Sequence, residues 1–353
     1  ATAATRNTEG NNLVFLIDVS GSMASDDKLP LLKRTFSTLV SGLSAKDCVS
    51  IVTYSGEEKV VLEACPGNQY DKIMKAINSL RASGSTNGQA GLRRAYEIAR
   101  AAYIQGGNNR IIMASDGDLN VGISSPTELK AFVEQNRKNG LYLSVLGFGY
   151  GNYRDANMEA LADNGNGAYY YIDSAREAER VFGDRLCSTM YTVAEDVKFQ
   201  ITFDPAYISS YRLIGYENRV LNKEDFNNDK KDAGEVGAGH TLTIAYELVL
   251  TAKDAQSDET GSSWMKLAMR YKTPGATKST LREYTIGTEA MTEIPDEDYR
   301  FISAVISFCM LMHNSKYAKT DLRADLQSTL QNMQTEDGYK REFIDLVTEL
   351  LGK

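Results

Sequence analysis

Short apolar runs alternate with amphipathic helical stretches over residues 1–192. Residues 13–19 are apolar without alternation, the pattern of a strand covered on both faces. Leu32, Phe36, Leu39, Val40 and Leu43 recur at helical spacing. Residues 48–54 and 59–62 predict a hairpin around Ser55-Gly56-Glu57-Glu58, and Leu92, Ala95, Tyr96, Ala99 and Tyr103 mark a helix over 89–104. A strand over 110–115 follows, then a helix carrying Leu129, Phe132 and Val133, then a strand over 141–148. A helix with Met158 and Leu161, a short strand over 168–172 and a helix over 174–190 complete the unit. Strands interleaved with helices predict an α/β fold with a doubly wound, mostly parallel sheet.

The pattern changes after Thr192. Val197, Phe199, Ile201 and Phe203 alternate with polar residues, and so do Leu242, Ile244, Tyr246, Leu248 and Leu250, then Met265, Leu267, Met269 and Tyr271. Period-two alternation predicts half-buried antiparallel strands. The Asn-, Asp-, Lys- and Gly-rich stretch 227–239 is expected to be a loop between them. From Pro295 the spacing is helical again, through Phe301, Val305, Phe308 and Met312, then Leu322, Leu326, Leu330 and Met333, then Phe343, Ile344, Val347 and Leu351. The expected organisation is a tail over 1–12, an α/β domain over 13–192, and an extension over 193–353 that is β-rich to 290 and helical from 295.

Composition adds limits. The chain of 353 residues has 24% charged residues and a net charge of −8, so it is an ordinary folded chain and not a low-complexity one. The acidity is uneven. Residues 1–192 carry 20 Lys and Arg against 21 Asp and Glu, and the remainder 19 against 26. Neither part offers the basic surface that a phosphate backbone requires, and no nucleic-acid partner is expected. No apolar stretch approaches the roughly 20 residues of a membrane span.

The informative cluster is Asp18-Val19-Ser20-Gly21-Ser22, placed where the first strand runs out. A carboxylate followed by hydroxyls two and four residues on, with a glycine to turn the chain, offers three oxygens to one point. Ligands of open α/β sheets gather at the carboxyl ends of the strands, and hard divalent cations take oxygen ligands. Thr86, in the loop opening a helix, and Asp116, directly after the strand ending at Ser115, supply further oxygens at the same sheet edge. Taken singly, Asp-x-Ser-Gly-Ser reads equally well as a turn with a helix cap.

This ordered set resembles the metal-ion-dependent adhesion site of the von Willebrand factor type A family, with every ligand position matched. Asn87-Gly88-Gln89-Ala90-Gly91-Leu92, Leu146-Gly147-Phe148-Gly149 and 211–219 resemble a bacterial subfamily with its own C-terminal extension. The resemblance implies a Rossmann-like domain binding Mg²⁺, with Ca²⁺ or Mn²⁺ as alternatives. It also implies that Ser20, Ser22 and one of Thr86 and Asp116 bind directly while Asp18 acts through water. The function it implies is capture of a Glu or Asp side chain from a protein partner, without catalysis. A metal-dependent hydrolase and a purely structural envelope scaffold are the rival readings. The hydrolase would need a base, for which Asp118 is the nearby candidate.

Other signals do not assemble into sites. Gly147-Phe148-Gly149-Tyr150-Gly151 misplaces the third glycine of a dinucleotide loop, and His240 and His313 lack metal-ligand spacing. In an unbulged hairpin closed by Tyr54 and Lys59, Cys48 and Cys65 would stand opposite each other at disulfide distance. A Cys48–Cys65 bridge is expected on that basis, with two small buried thiols as the alternative. A bridge would favour an oxidising compartment. Because residue 1 is Ala and not Met, a processed chain is expected, extracytoplasmic, with any export signal or lipid anchor upstream.

Overall fold

The computed structural model describes residues 9–85, 88–117, 126–149, 155–185, 192–216, 220–231, 233–251, 263–290, 292 and 294–352. Six strands form the first sheet: β1 (Asn11–Asp18), β2 (Cys48–Tyr54), β3 (Glu58–Pro66), β4 (Asn108–Ser115), β5 (Tyr142–Phe148) and β6 (Tyr169–Ile172). Their order is β3-β2-β1-β4-β5-β6, with β3 antiparallel to β2 and every other pair parallel. Among the described residues six helices accompany them: α1 (Leu29–Ser41), α2 (Tyr70–Ser79), α3 (Gly88–Ala101), α4 (Pro126–Arg137), α5 (Asp155–Asn164) and α6 (Ala175–Arg180).

The unbroken apolar run of β1 has a direct cause. Leu13, Phe15 and Ile17 pack with Leu32, Phe36 and Leu39 of α1, while Val14 and Leu16 pack with Leu92, Ala95 and Ala99 of α3. All eight residues of β1 are buried. Phe36 meets Phe15 and Phe182 edge-on, with ring centroids 4.6 and 6.2 Å apart. Helix α2 was not apparent in the pattern; it seats only Ile73 and Ile77 in the core.

The hairpin departs from the expected register. Tyr54 faces Glu58 and Ile51 faces Leu62, but Cys65 faces Val49 and Cys48 faces Pro66. The pairing slips twice, between Val52 and Ile51 and between Ile51 and Val49. At the second slip Ala64 takes a φ of 45°, and its N–H donates to Ser50 Oγ at 2.9 Å. Each extra residue on β3 moves the opposing partner by one. Cys65 consequently shares a face with Val49 in the core, and Cys48 belongs to the other face. Both thiols are free, so the expected bridge is corrected. The compartment it was to indicate is left without that support.

The extension holds β7 (Thr192–Phe203), β8 (Ile208–Ile214), β9 (Gly234–Gly237), β10 (Ala245–Leu250), β11 (Ser263–Lys272) and β12 (Thr280–Gly287). They form a four-stranded sheet, β12-β11-β7-β9, and an antiparallel pair, β10-β8. Strand β9 lies inside the stretch expected to be a loop. It runs antiparallel to β7, and Ala233 N–H donates to Asp196 Oδ1 at 3.1 Å just before it. Three helices follow: α7 (Glu297–Met312), α8 (Leu322–Gln331) and α9 (Gly338–Gly352). Asp296 caps α7, accepting from Tyr299 N–H at 2.7 Å. Ala304, Leu326, Leu330, Val347 and Leu351 form the small core of the three.

By compactness the chain divides into two units, one of residues 1–198, 227–242 and 270–281, the other of 199–226, 243–269 and 282–353. In the second unit Phe203 gathers the rings of Tyr211, Tyr246 and Trp264, and Trp264 Nε1 donates to the Gly287 carbonyl at 2.9 Å.

Two outcomes follow from this packing. Helix propensity alone would have Gly91→Ala stabilise α3 by about 1 kcal/mol. A Cβ there would sit 2.7 Å from Tyr54 Cβ and 3.2 Å from Leu16 Cδ1, both side chains fully buried. Overpacking wins, and urea unfolding of Gly91→Ala is expected to show a loss of about 1–3 kcal/mol. Alkylation of the denatured, unreduced protein should label both Cys48 and Cys65; a joined peptide pair would contradict the bulged register.

Candidate metal centre

Parallel pairing sets the site. Strands β1 and β4 lie side by side, and their helical crossovers leave to opposite faces of the sheet, so a crevice opens beyond their carboxyl ends. Asp18 is the last residue of β1, and Asp116 follows the last residue of β4. The chain after Asp18 makes a single 3₁₀ turn over Gly21–Ala24, closed by Met23 N–H to the Ser20 carbonyl at 3.0 Å.

Main-chain hydrogen bonds hold neighbouring loops against this turn. Ser83 N–H donates to the Val19 carbonyl at 2.7 Å, and Gly21 N–H donates to the Gly84 carbonyl at 3.0 Å. Val19 N–H in turn donates to the Tyr54 carbonyl at 3.0 Å. The loop leading to Thr86 is thus tied to the Asp18–Ser22 segment, although Thr86 itself lies outside the described residues, as do Asp118 and Cys187.

Asp18 is fully buried, and Ser20 is nearly so. Asp18 Oδ1 accepts from Ser20 N–H at 2.8 Å, and the hydroxyls of Ser20 and Ser22 are 3.0 Å apart. The other carboxylate oxygen, Oδ2, is buried and closes no hydrogen bond of normal geometry among the described residues; the buried hydroxyl of Tyr54, opposite Asp18 in the sheet, interacts with the carboxylate and with Ser115 but likewise closes none of normal geometry. Burial pushes the Asp18 carboxyl up from the ordinary 3.8 to about 6; hydrogen bonding from Ser20 opposes this and the charge of Asp116 adds to it. The same burial, with the Asp18 charge behind it, raises the Tyr54 phenol well above its usual range.

Asp116 is the second carboxylate, its side chain 4% exposed. Its Oδ2 accepts from Lys28 Nζ at 2.9 Å, and the same ammonium donates to the Ser22 carbonyl at 3.0 Å. Gly117 turns the chain away with φ +91°, its N–H donating to Ser115 Oγ at 3.2 Å. The fold thus brings Asp18, Ser20, Ser22 and Asp116 to one crevice. Lys28 and Tyr54 were not anticipated. A lysine ahead of a helix and a tyrosine ending an apolar strand carry no chemical signature until the sheet order is known.

The donor set suits a hard dication. Two hydroxyls and two carboxylates are all-oxygen, and a buried carboxylate oxygen without a well-formed hydrogen bond is costly unless something positive satisfies it. Among the described residues no group of three or more His, Cys, Asp and Glu comes together, so a thiolate–imidazole or carboxylate-cage centre is not what these side chains build.

Comparisons with known proteins identify the families of the two parts of the chain. Residues 12–184 match the von Willebrand factor type A domain family, and residues 188–351 match the family described as "Uncharacterized protein YfbK, C-terminal". The chain is 42% identical over 354 residues to the Escherichia coli (strain K12) protein named "Uncharacterized protein YfbK", covering 96% of this chain and 61% of that protein. It is 27% identical over 257 residues to human inter-alpha-trypsin inhibitor heavy chain H3, covering 67% of this chain and 28% of that one. The chain therefore spans about three-fifths or less of these relatives. Among solved structures, "von Willebrand factor type A from Catenulispora acidiphila" shares the fold with a TM-score of 0.53 at 17% identity, over 96% of this chain and 82% of that one.

The buried Asp18 carboxylate gives a stability prediction. A rise from 3.8 to about 6 corresponds to about 3 kcal/mol. For an acid whose folded pKa is raised, that cost is fully present above the folded value and absent below the unfolded one. In EDTA, Asp18→Asn should stabilise the chain at about pH 8 by up to about 3 kcal/mol, and the gain should vanish below about pH 3. Thermal unfolding at the two pH values checks both the sign and the window.

Proposed function

We propose, for a chain belonging to the von Willebrand factor type A proteins that carry a YfbK C-terminal domain, that it is a divalent-cation-dependent protein-binding module. The observation that carries this reading is the buried Oδ2 of Asp18, which closes no hydrogen bond of normal geometry, beside the paired hydroxyls of Ser20 and Ser22. Asp18, Ser20, Ser22, Thr86 and Asp116 would hold Mg²⁺, with Ca²⁺ or Mn²⁺ as alternatives. When bound, the cation supplies a coordination position for an acidic oxygen of a partner. The chain's own residues supply the rest. Ser20 N–H holds Oδ1 of Asp18 in place, and the main-chain ties through Val19, Gly21, Ser83 and Gly84 keep the loops in register.

Hydroxyl ligands are neutral, so a cation held mainly by them stays electron-poor and attracts a Glu or Asp from outside. Binding of this kind needs no reaction, and we propose no catalysis. The family resemblance further supports an extracytoplasmic setting in adhesion or envelope assembly. Among the described residues no helix is long and apolar enough to cross a membrane.

Calorimetric titration of MgCl₂ into the chain tests the cation directly. Wild type should give saturable binding and Ser22→Ala a loss of at least about tenfold, or about 1.4 kcal/mol. Equal affinity in the two would remove the site. Affinity capture from an envelope extract, with Mg²⁺ and again with EDTA, tests the second half. A protein retained only with Mg²⁺, and not by Asp18→Ala, is the expected result.

A further inference from the structure

The crevice already contains a cation that belongs to the chain. Lys28 Nζ bonds Asp116 Oδ2 at 2.9 Å and the Ser22 carbonyl at 3.0 Å, two residues assigned above to the divalent ion. The pair is well sheltered, with side chains 17% and 4% exposed. The root of the lysine is fixed as firmly as its tip. Lys28 N–H donates to the Ser25 carbonyl at 3.0 Å, and the Lys28 carbonyl accepts from Leu32 N–H at 2.9 Å in the first turn of α1.

Between root and tip the aliphatic stem crosses the end of β5. Gly149 lies there with φ +86°, and a Cβ on it would stand 2.3 Å from Lys28 Cε, 2.9 Å from Cγ and 3.1 Å from Cδ. Only a glycine leaves that passage open. The Gly149 carbonyl is itself pinned, accepting from the Tyr171 hydroxyl at 2.8 Å. A glycine that matches no dinucleotide loop thus has a use: it is the floor of a track for one lysine.

We propose that Lys28 is a tethered competitor for the divalent cation, and that it sets how tightly the site holds metal. With no metal present, the ammonium neutralises Asp116 and takes up the Ser22 carbonyl. A dication can reach Asp116 only if the ammonium lets go, or else must sit beside a like charge a few ångströms away. Either route subtracts from metal affinity. Lys28 also acts as a latch, because the protein keeps Asp116 compensated between binding events and does not leave two carboxylates facing each other. The inference rests on the metal reading of the preceding section.

The test uses the full chain and MgCl₂ alone, on wild type, Lys28→Met, Lys28→Gln and Ser22→Ala. Calorimetric titration should show Mg²⁺ held about tenfold more tightly by Lys28→Met and Lys28→Gln than by wild type. In EDTA the same two variants should melt below wild type, since Asp116 has lost its counter-charge beside Asp18. The rise in Tm on adding Mg²⁺ should therefore be larger for them than for wild type. Should one variant fail to fold in EDTA, the other carries the comparison. Equal or weaker Mg²⁺ binding in the Lys28 variants, with binding still lost in Ser22→Ala, would overturn the competitor and leave the metal site standing. Absence of Mg²⁺ binding in every chain would overturn both.

Discussion

The covering of β1 on both faces is the constraint from which the site follows. Leu13, Phe15 and Ile17 face one helical layer and Val14 and Leu16 the other, so nothing along the strand reaches water before Asp18. The carboxylate that ends such a strand is desolvated by the same packing that stabilises the core. Apolar burial of side chains at about 1.5–3 kcal/mol each outweighs the cost of one misplaced charge. The fold can therefore hold Asp18 where an isolated carboxylate would not stay ionised comfortably. A group kept at such a cost is what a binding site needs, because its relief is then available to a ligand.

Much of this was legible in the residues. The four inner strands of the first sheet, β2, β1, β4 and β5, follow from their apolar runs, since strands buried on both faces leave little room for polar residues. Asp18, Ser20, Ser22 and Asp116 were legible because each stands next to such a run, at the end of a strand or just beyond it. The hairpin register was not. Two slips decide it, and the one at Ala64 turns on a positive φ in a residue that advertises none, with a single hydroxyl, that of Ser50, receiving its N–H. Lys28 was equally hidden, because its partner lies 88 residues away and its path depends on the missing side chain of Gly149.

The extension was legible where its strands alternate and illegible where they are polar. β7, β10 and β11 alternate; β12 exposes nearly every side chain, and β9 lies in a run of Gly, Asp and Lys. Such strands are held by backbone pairing and by polar networks. One of these links Lys272 with Asp196, and Ser279 with Asp229. Hydrophobic periodicity records burial, so it passes over strands that bury little. The aromatic group around Phe203 shows the opposite case, in which rings spaced far apart in the chain meet in one place.

The slips in β3 reach beyond the cysteines. β3 is one outer strand of the six-stranded sheet and β6, only four residues long, is the other. An outer strand with regular, unpaired backbone groups is a template on which another chain can be laid down as a further strand. β3 is kinked twice, carries exposed Glu58, Lys59 and Glu63, and ends at Pro66, which has no N–H to give. β6 is too short to seat much of a visitor. Neither flank of the sheet invites polymerisation through strand addition.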